Sequence, residues 1–173
     1  SSAASYVDKG QEQKFYHQLH ADAVSVDFYD SLIRHWTTTA LAYCSSHPRS
    51  VDAFFAEAQR RNMLMVGGKV MMDRNAPEGL LDTAQSSYDD TKALIARWHR
   101  RGRGRYAISP RFAITSTPAQ LEMAQALVAE HGDTYVQTHL SEDDAAISYS
   151  MELFTEAQDY TGIYEVFGLL GSK

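Results

Sequence analysis

The segment "YVQTHLSE" (135–142) runs an alternating apolar strand into His139 and, three residues later, Glu142. A neutral imidazole at the end of a buried strand can ligate a metal ion. A carboxylate close by can carry protons between a water nucleophile and a substrate nitrogen. Together they are parts of a metal-dependent hydrolase. Plainer uses compete: a hydrogen-bonded structural histidine, and Glu142 joining Asp143 and Asp144 in the acidic first turn of a helix, where the dipole favours negative charge. Arg111 and Phe112 form a second pair. The guanidinium offers planar donors to a carbonyl or ring-nitrogen edge, and the ring a stacking face. Their ordinary reading is a surface ion pair beside a core aromatic.

Other reactive side chains carry weaker patterns. His17 and His20 have a chelating spacing but lie in a polar, poorly patterned stretch. His47, beside Pro48, reads as a solvated loop residue. Cys44 has no cationic neighbour and reads as a small buried residue. "VGGK" lacks the spacing of a phosphate loop. The basic run "RWHRRGRGR" (97–105) reads as a solvated helix end and turn.

These groups need elements to hold them. The 173 residues suffice for one domain with a sizeable core, 44% of them hydrophobic and 22% charged. A net charge of −6 argues against a nucleic-acid partner. The single cysteine rules out an internal disulfide and a cysteine-rich zinc site, and suits a cytoplasmic protein. No apolar run reaches the length of a membrane span.

After a poorly patterned segment (1–20), the unit 21–173 alternates helical and strand patterns. "ADAVSVDFYDSLIRH" (21–35) places Val24, Phe28, Leu32 and Ile33 on one stripe. Strands follow at "TTTALAY", "MLMVGGKVMMD", "GRYAISPRF" and "TYVQTH". Expected helix starts are Ser50, Ser87 with Asp90, Thr117–Pro118 with Gln120 reaching back, and Ser141. Repeated βα units imply an α/β fold with a parallel sheet, either doubly wound or barrel-like. Four strands cannot close a barrel of eight, so the fold is an open sheet or about half of a TIM-type (β/α)8 barrel. Working residues in such folds gather at the carboxyl ends of strands. Here these are "YCSSHP", "MMDRN", "SPRFAITS" and "THLSE", all four rich in polar groups.

"RHWTTTALAYCSSHP", "GKVMMDRNAPEGLLDTAQSSYDDTKALI", "ISPRFAITSTPAQL" and "VQTHLSE" resemble the guanine deaminase family of the amidohydrolase superfamily, from about Gln13 to Lys173. The resemblance implies a zinc-dependent (β/α)8 barrel that hydrolyses guanine to xanthine and ammonia. It makes His139 the zinc ligand after the fifth strand and Glu142 the proton shuttle, with Arg111 and Phe112 recognising the base. It assigns no role to Asp73, Arg74 and Asn75. The sequence also departs from the family. The His-x-His zinc motif of the first strand is absent, as are the later histidine and aspartate. Trp36 stands where glycine is usual, and Ile114 where proline is usual. The resemblance thus covers strands two to five, and one zinc ligand cannot hold a catalytic metal. A segment not competent by itself is expected, forming a homo-oligomer or pairing with a complementing half. The alternative is a non-enzymatic half-barrel serving as an oligomerising scaffold or purine binder.

Overall fold

A computed structural model describes residues 12–171. Eleven of the residues in the poorly patterned N-terminal segment lie outside that range. A 3-10 turn (Glu12–Tyr16) precedes α1 (Gln18–Arg34), β1 (Thr39–Tyr43), α2 (Pro48–Arg60), β2 (Leu64–Gly68) and β3 (Val70–Met71). Then come α3 (Ala84–Trp98), β4 (Arg105–Pro110), α4 (Pro118–Glu130), β5 (Tyr135–Val136), α5 (Asp144–Leu153) and α6 (Tyr160–Val166). Every strand pairing is parallel. The long apolar strand read from the sequence is divided into β2 and β3, both of which pair with β4 in one continuous register. Strand neighbours therefore follow chain order: β1, then β2–β3, then β4, then β5. That is the order of a barrel wall rather than of a doubly wound sheet. Among the described residues no helix is long and apolar enough to cross a membrane.

The sheet is curled. β1 and β5 are separated by β2–β3 and β4, which in a flat sheet would set them roughly 14 Å apart at ordinary strand spacing. Yet Gln137, just past β5, places Nε2 3.2 Å from the Ala42 carbonyl of β1 and 2.8 Å from Ser109 Oγ of β4. Close strand approach helps: a Cβ on Gly68 would lie 1.9 Å from the Ala107 carbonyl, so only glycine fits there. β4, in the middle of the sheet, is buried almost throughout, whereas β1 alternates. Ala40 and Ala42 of β1 pack on the helices, while Leu41, 55% exposed, faces the concave side.

Most helices form where the sequence places them, but several starts and one stripe differ. α1 buries Ala21, Ser25 and Tyr29 rather than the Val24–Phe28–Leu32 line, because Tyr29 donates to the Phe54 carbonyl (2.9 Å) and Ser25 to the Ala53 carbonyl (3.0 Å). α2 starts at Pro48, with Ser50 inside its first turn donating to the His47 carbonyl. α3 is capped by Thr83, four residues before Ser87, with Thr83 and Ser86 exchanging the two capping-box bonds. Thr117 does cap α4, accepting from Gln120 N at 3.3 Å. The Gln120 side chain does not reach back; it is buried 2.9 Å from Ser87 Oγ. Asp143, not Ser141, caps α5. The basic run after α3 is a helix end and turn as read, with Arg97 paired to Asp52 and Arg100 to Asp133.

Two helices end alike. After α1, Thr37 N bonds to the Leu32 carbonyl and Trp36 N to the Ile33 carbonyl; after α2, Met63 N bonds to Ala58 O and Asn62 N to Gln59 O. These are Schellman closures, which need a left-handed residue just past the helix. Asn62 (φ 53°) suits that position, but Trp36 (φ 58°) does not, and its ring is 93% exposed. Trp36→Gly should therefore raise the unfolding free energy by a few tenths to ~1 kcal/mol, read as a higher urea midpoint, relief of left-handed strain exceeding glycine's added entropy cost. A lower midpoint would show that the indole makes compensating contacts.

α2 also carries Glu57, buried and held by Arg60 and Arg61 (2.5 Å each). The Arg60 hydrogen bond foremost, with Arg61 adding to it against the cost of burial, brings its carboxyl down to about 2. A depressed carboxylate stabilises the fold above its unfolded value, near 4.5, and that contribution fades as pH falls through about 2. In urea titrations Glu57→Gln should be less stable than the parent at pH 7, with the gap narrowing between pH 4.5 and pH 2. A gap independent of pH would assign the loss to packing instead.

Candidate functional site

Arg111, Phe112 and His139 meet at the carboxyl ends of β4 and β5. β4 ends at Pro110 and leads straight into Arg111, while β5 leads through Gln137 and Thr138 to His139. The Arg111 carbonyl receives His139 N at 2.8 Å, His139 Nδ1 at 3.0 Å and Thr138 Oγ1 at 3.2 Å. A carbonyl only accepts, so Nδ1 carries a proton, and in the neutral ring the lone pair is on Nε2. That is the orientation a backbone carbonyl imposes on a metal-ligating histidine. The half-buried imidazole lies between two rings: Tyr43 from β1, with centroids 4.4 Å apart, and the buried Phe112 at 6.3 Å. The Tyr43 contact is another product of the curl. Burial pushes the Tyr43 phenol up to about 12, while the Arg111 charge pulls it the other way. Arg111 itself lies over the Phe112 ring at 5.7 Å.

Glu142 is exposed, one residue ahead of the Asp143 cap, and so outside the helix whose first turn was its plainer assignment. Asp143 and Asp144 fill those positions: Asp143 Oδ1 accepts Ala146 N at 2.7 Å, and Asp144 is the first-turn acid. Glu142 does not make the cap. Its charge is felt at Tyr160.

The triplet Asp73, Arg74 and Asn75 has a visible task. Asp73 Oδ1 accepts Thr117 N at 2.7 Å, and Oδ2 takes the Thr117 hydroxyl. Arg74 donates to the Ile114 (3.1 Å) and Ala113 (2.8 Å) carbonyls, and Asn75 Nδ2 to Ile114 O (2.9 Å). The guanidinium of Arg74 also sits 5.1 Å over the Phe154 ring. The loop after β3 thus grips the 3-10 turn Ala113–Thr115 that follows Arg111 and Phe112. Sequence reasoning left this unassigned because carbonyls of a distant turn leave no mark in residue spacing.

The remaining candidates stand apart. His47 is half-buried rather than solvated, with Nε2 enclosed and without a hydrogen-bond partner among the described residues. Burial, then the neighbouring Lys69, holds its imidazole below the usual value, with Asp82 opposing. Lys69 is wholly buried and paired with Asp82. Burial pushes the half-buried Cys44 thiol up to about 12, which keeps it protonated and inert. Among the described residues no three His, Cys, Asp or Glu side chains converge on a metal position, so His17 and His20 meet no third ligand there. His139 therefore offers one ligand, and these residues alone do not fit a catalytic zinc, which takes three.

Comparison with known proteins agrees with this geometry. The model of the amidohydrolase family matches residues 21–172. The guanine deaminase of Escherichia coli (strain K12) is 49% identical over 162 residues, which are 94% of this chain and 37% of that protein. The crystal structure of guanine deaminase from Bradyrhizobium japonicum is similar with a TM-score of 0.95 and 39% identity, covering all of this chain and 38% of the other. Guanine deaminase from C. acetobutylicum, solved with guanine bound in its active site, has a TM-score of 0.87 at 25% identity, over 94% of this chain and 39% of the other. The chain thus spans well under half the length of the relatives it matches. A family match across nearly all the described residues, on a parallel wall with its polar side chains gathered at the strand ends, shows that the chain belongs to the amidohydrolase family.

Proposed function

We propose that this chain supplies the purine-recognition part and one histidine ligand of a guanine deaminase site. The observation that carries the reading is the Arg111 carbonyl. One atom of the recognition pair's backbone fixes both the position and the tautomer of His139. Phe112 then offers a ring face and Arg111 planar donors for a purine, and the relatives named above are guanine deaminases. Glu142, free of the cap, carries protons to the purine nitrogen. Zinc, when bound in a complete site, supplies an activated water; the ligands beyond His139 come from outside the described residues. β1 and β5 each keep an unpaired edge among the described residues, which favours pairing with a second copy or a complementing segment.

Two outcomes test this. Alone with added zinc, the chain should release no ammonia from guanine. Release that a chelator abolishes and zinc restores would overturn the division of the site. Grafted in place of the matching segment of the E. coli enzyme, the chain should restore turnover, and Glu142→Gln should then lower it at least ~100-fold with zinc content unchanged. His139→Ala should lose both zinc and turnover. Asp143→Asn, which keeps a capping side chain, should leave turnover nearly intact. Equal effects at Glu142 and Asp143 would return the glutamate to a purely structural role.

A further inference from the structure

The side chain that joins the two halves of the site is Tyr164, on α6, an element to which no site role has been given. Its ring is buried in the main core, and its hydroxyl emerges between the two strand ends. Tyr164 Oη accepts Ala113 N at 3.0 Å, on the turn that begins directly after Arg111 and Phe112. The same oxygen lies 3.0 Å from Thr138 Oγ1 and 3.5 Å from the His139 carbonyl. Thr138 Oγ1 in turn is within reach of the Arg111 carbonyl. One phenol oxygen thus closes a ring of hydrogen bonds from the recognition turn to the histidine loop and back to Arg111.

We propose that Tyr164 is a positioning residue, setting the distance between the base-recognition pair and His139 through its hydroxyl. The proposal rests on the purine reading of Arg111, Phe112 and His139. Its physical basis is that β5 contributes only two ladder residues, Tyr135 and Val136, so the ladder alone gives Thr138 and His139 little support. β4 is firmly held by neighbours on both sides. A loop beyond so short a strand needs a separate brace, and α6 supplies it. Asp159 caps that helix by accepting Gly162 N at 2.8 Å, which sets where Tyr164 stands. Burial pushes the phenol far above its ordinary value, so it stays neutral and keeps its proton for the ring of bonds.

Tyr164→Phe deletes the hydroxyl and keeps the ring packing. The readout is amide hydrogen exchange by NMR on the whole chain, with each rate taken relative to the core amide of Ile108. Tyr164→Phe should speed exchange at both Ala113 and His139 by ~10-fold, the scale of one lost hydrogen bond. Tyr29→Phe removes a buried hydroxyl at the other side of the core and should leave both relative rates unchanged. Acceleration at Ala113 alone, with His139 at the parent rate, would overturn the proposal and leave Tyr164 as a partner for one backbone amide. Should Tyr164→Phe fail to fold, Thr138→Val breaks the same link from the other end and should speed His139; an unchanged His139 rate there would also overturn it. Equilibrium dialysis with labelled guanine separates the two readings. If the parent chain takes up guanine, Tyr164→Phe should weaken uptake roughly tenfold. A parent chain that takes up none counts against the purine reading, while the amide rates still decide the brace.

Discussion

The curl of the sheet is the constraint on which the rest depends. A parallel wall whose strands follow chain order has helices on one face only, and its other face must bend inward to bury anything. The bend brings β1 within reach of β5, so that Tyr43 meets His139 and Gln137 finds the Ala42 carbonyl. Without it, His139 would stand at the end of a two-residue strand with one aromatic neighbour. With it, the imidazole is held on two sides and its Nδ1 is committed to Arg111. The glycine at 68 contributes at the backbone level, because any Cβ there would strike β4.

The loops above the strand ends are held by polar groups gripping backbone. Asp73, Arg74 and Asn75 take the carbonyls and capping groups around Ala113–Thr117, and buried Gln120 sits beneath the same loop. If its amide is turned so that the oxygen faces the Met72 and Asp73 N–H groups, its nitrogen meets Ser116 Oγ at 2.8 Å, and both ends of the amide find partners. Lys69 and Asp82 lock the other end of that loop to the strand. Such a pair costs desolvation on both sides, and burial indeed pushes the Asp82 carboxyl up even though Lys69 opposes it. Its worth lies in fixing one arrangement of the loop more than in net stability.

Much of this was legible in the residues, for identifiable reasons. The strands and most helices follow from periodicity, because burial on one face or two leaves a direct trace in residue type. The polar strand ends followed from the same pattern, and so did the placement of His139, Arg111 and Phe112 there. Cap positions were less legible. Thr83, His47 and Asp143 begin helices that Ser50, Ser87 and Ser141 could equally have begun, and tertiary fit chose between them. The α1 stripe was misread because Tyr29 and Ser25 count as polar, yet each buries its hydroxyl against a carbonyl of α2. The triplet 73–75 was illegible since its partners are mostly backbone atoms some forty residues away.

The two unusual residues of the resemblance separate under the same physics. Trp36 occupies a left-handed position that closes a helix, where the usual glycine has an evident backbone reason and the indole gains only exposure. Ile114 is different: it is buried beside Phe112 and Ala146, and its carbonyl receives both Arg74 and Asn75. A proline at 114 would still offer that carbonyl, and the described backbone bonds use the amides of Thr115 and Ser116 rather than that of Ile114. The exchange therefore leaves the grip on the turn intact and alters only the side chain packed behind the Phe112 ring. Trp36 thus acts on how the chain folds, and Ile114 on the wall against which Phe112 rests.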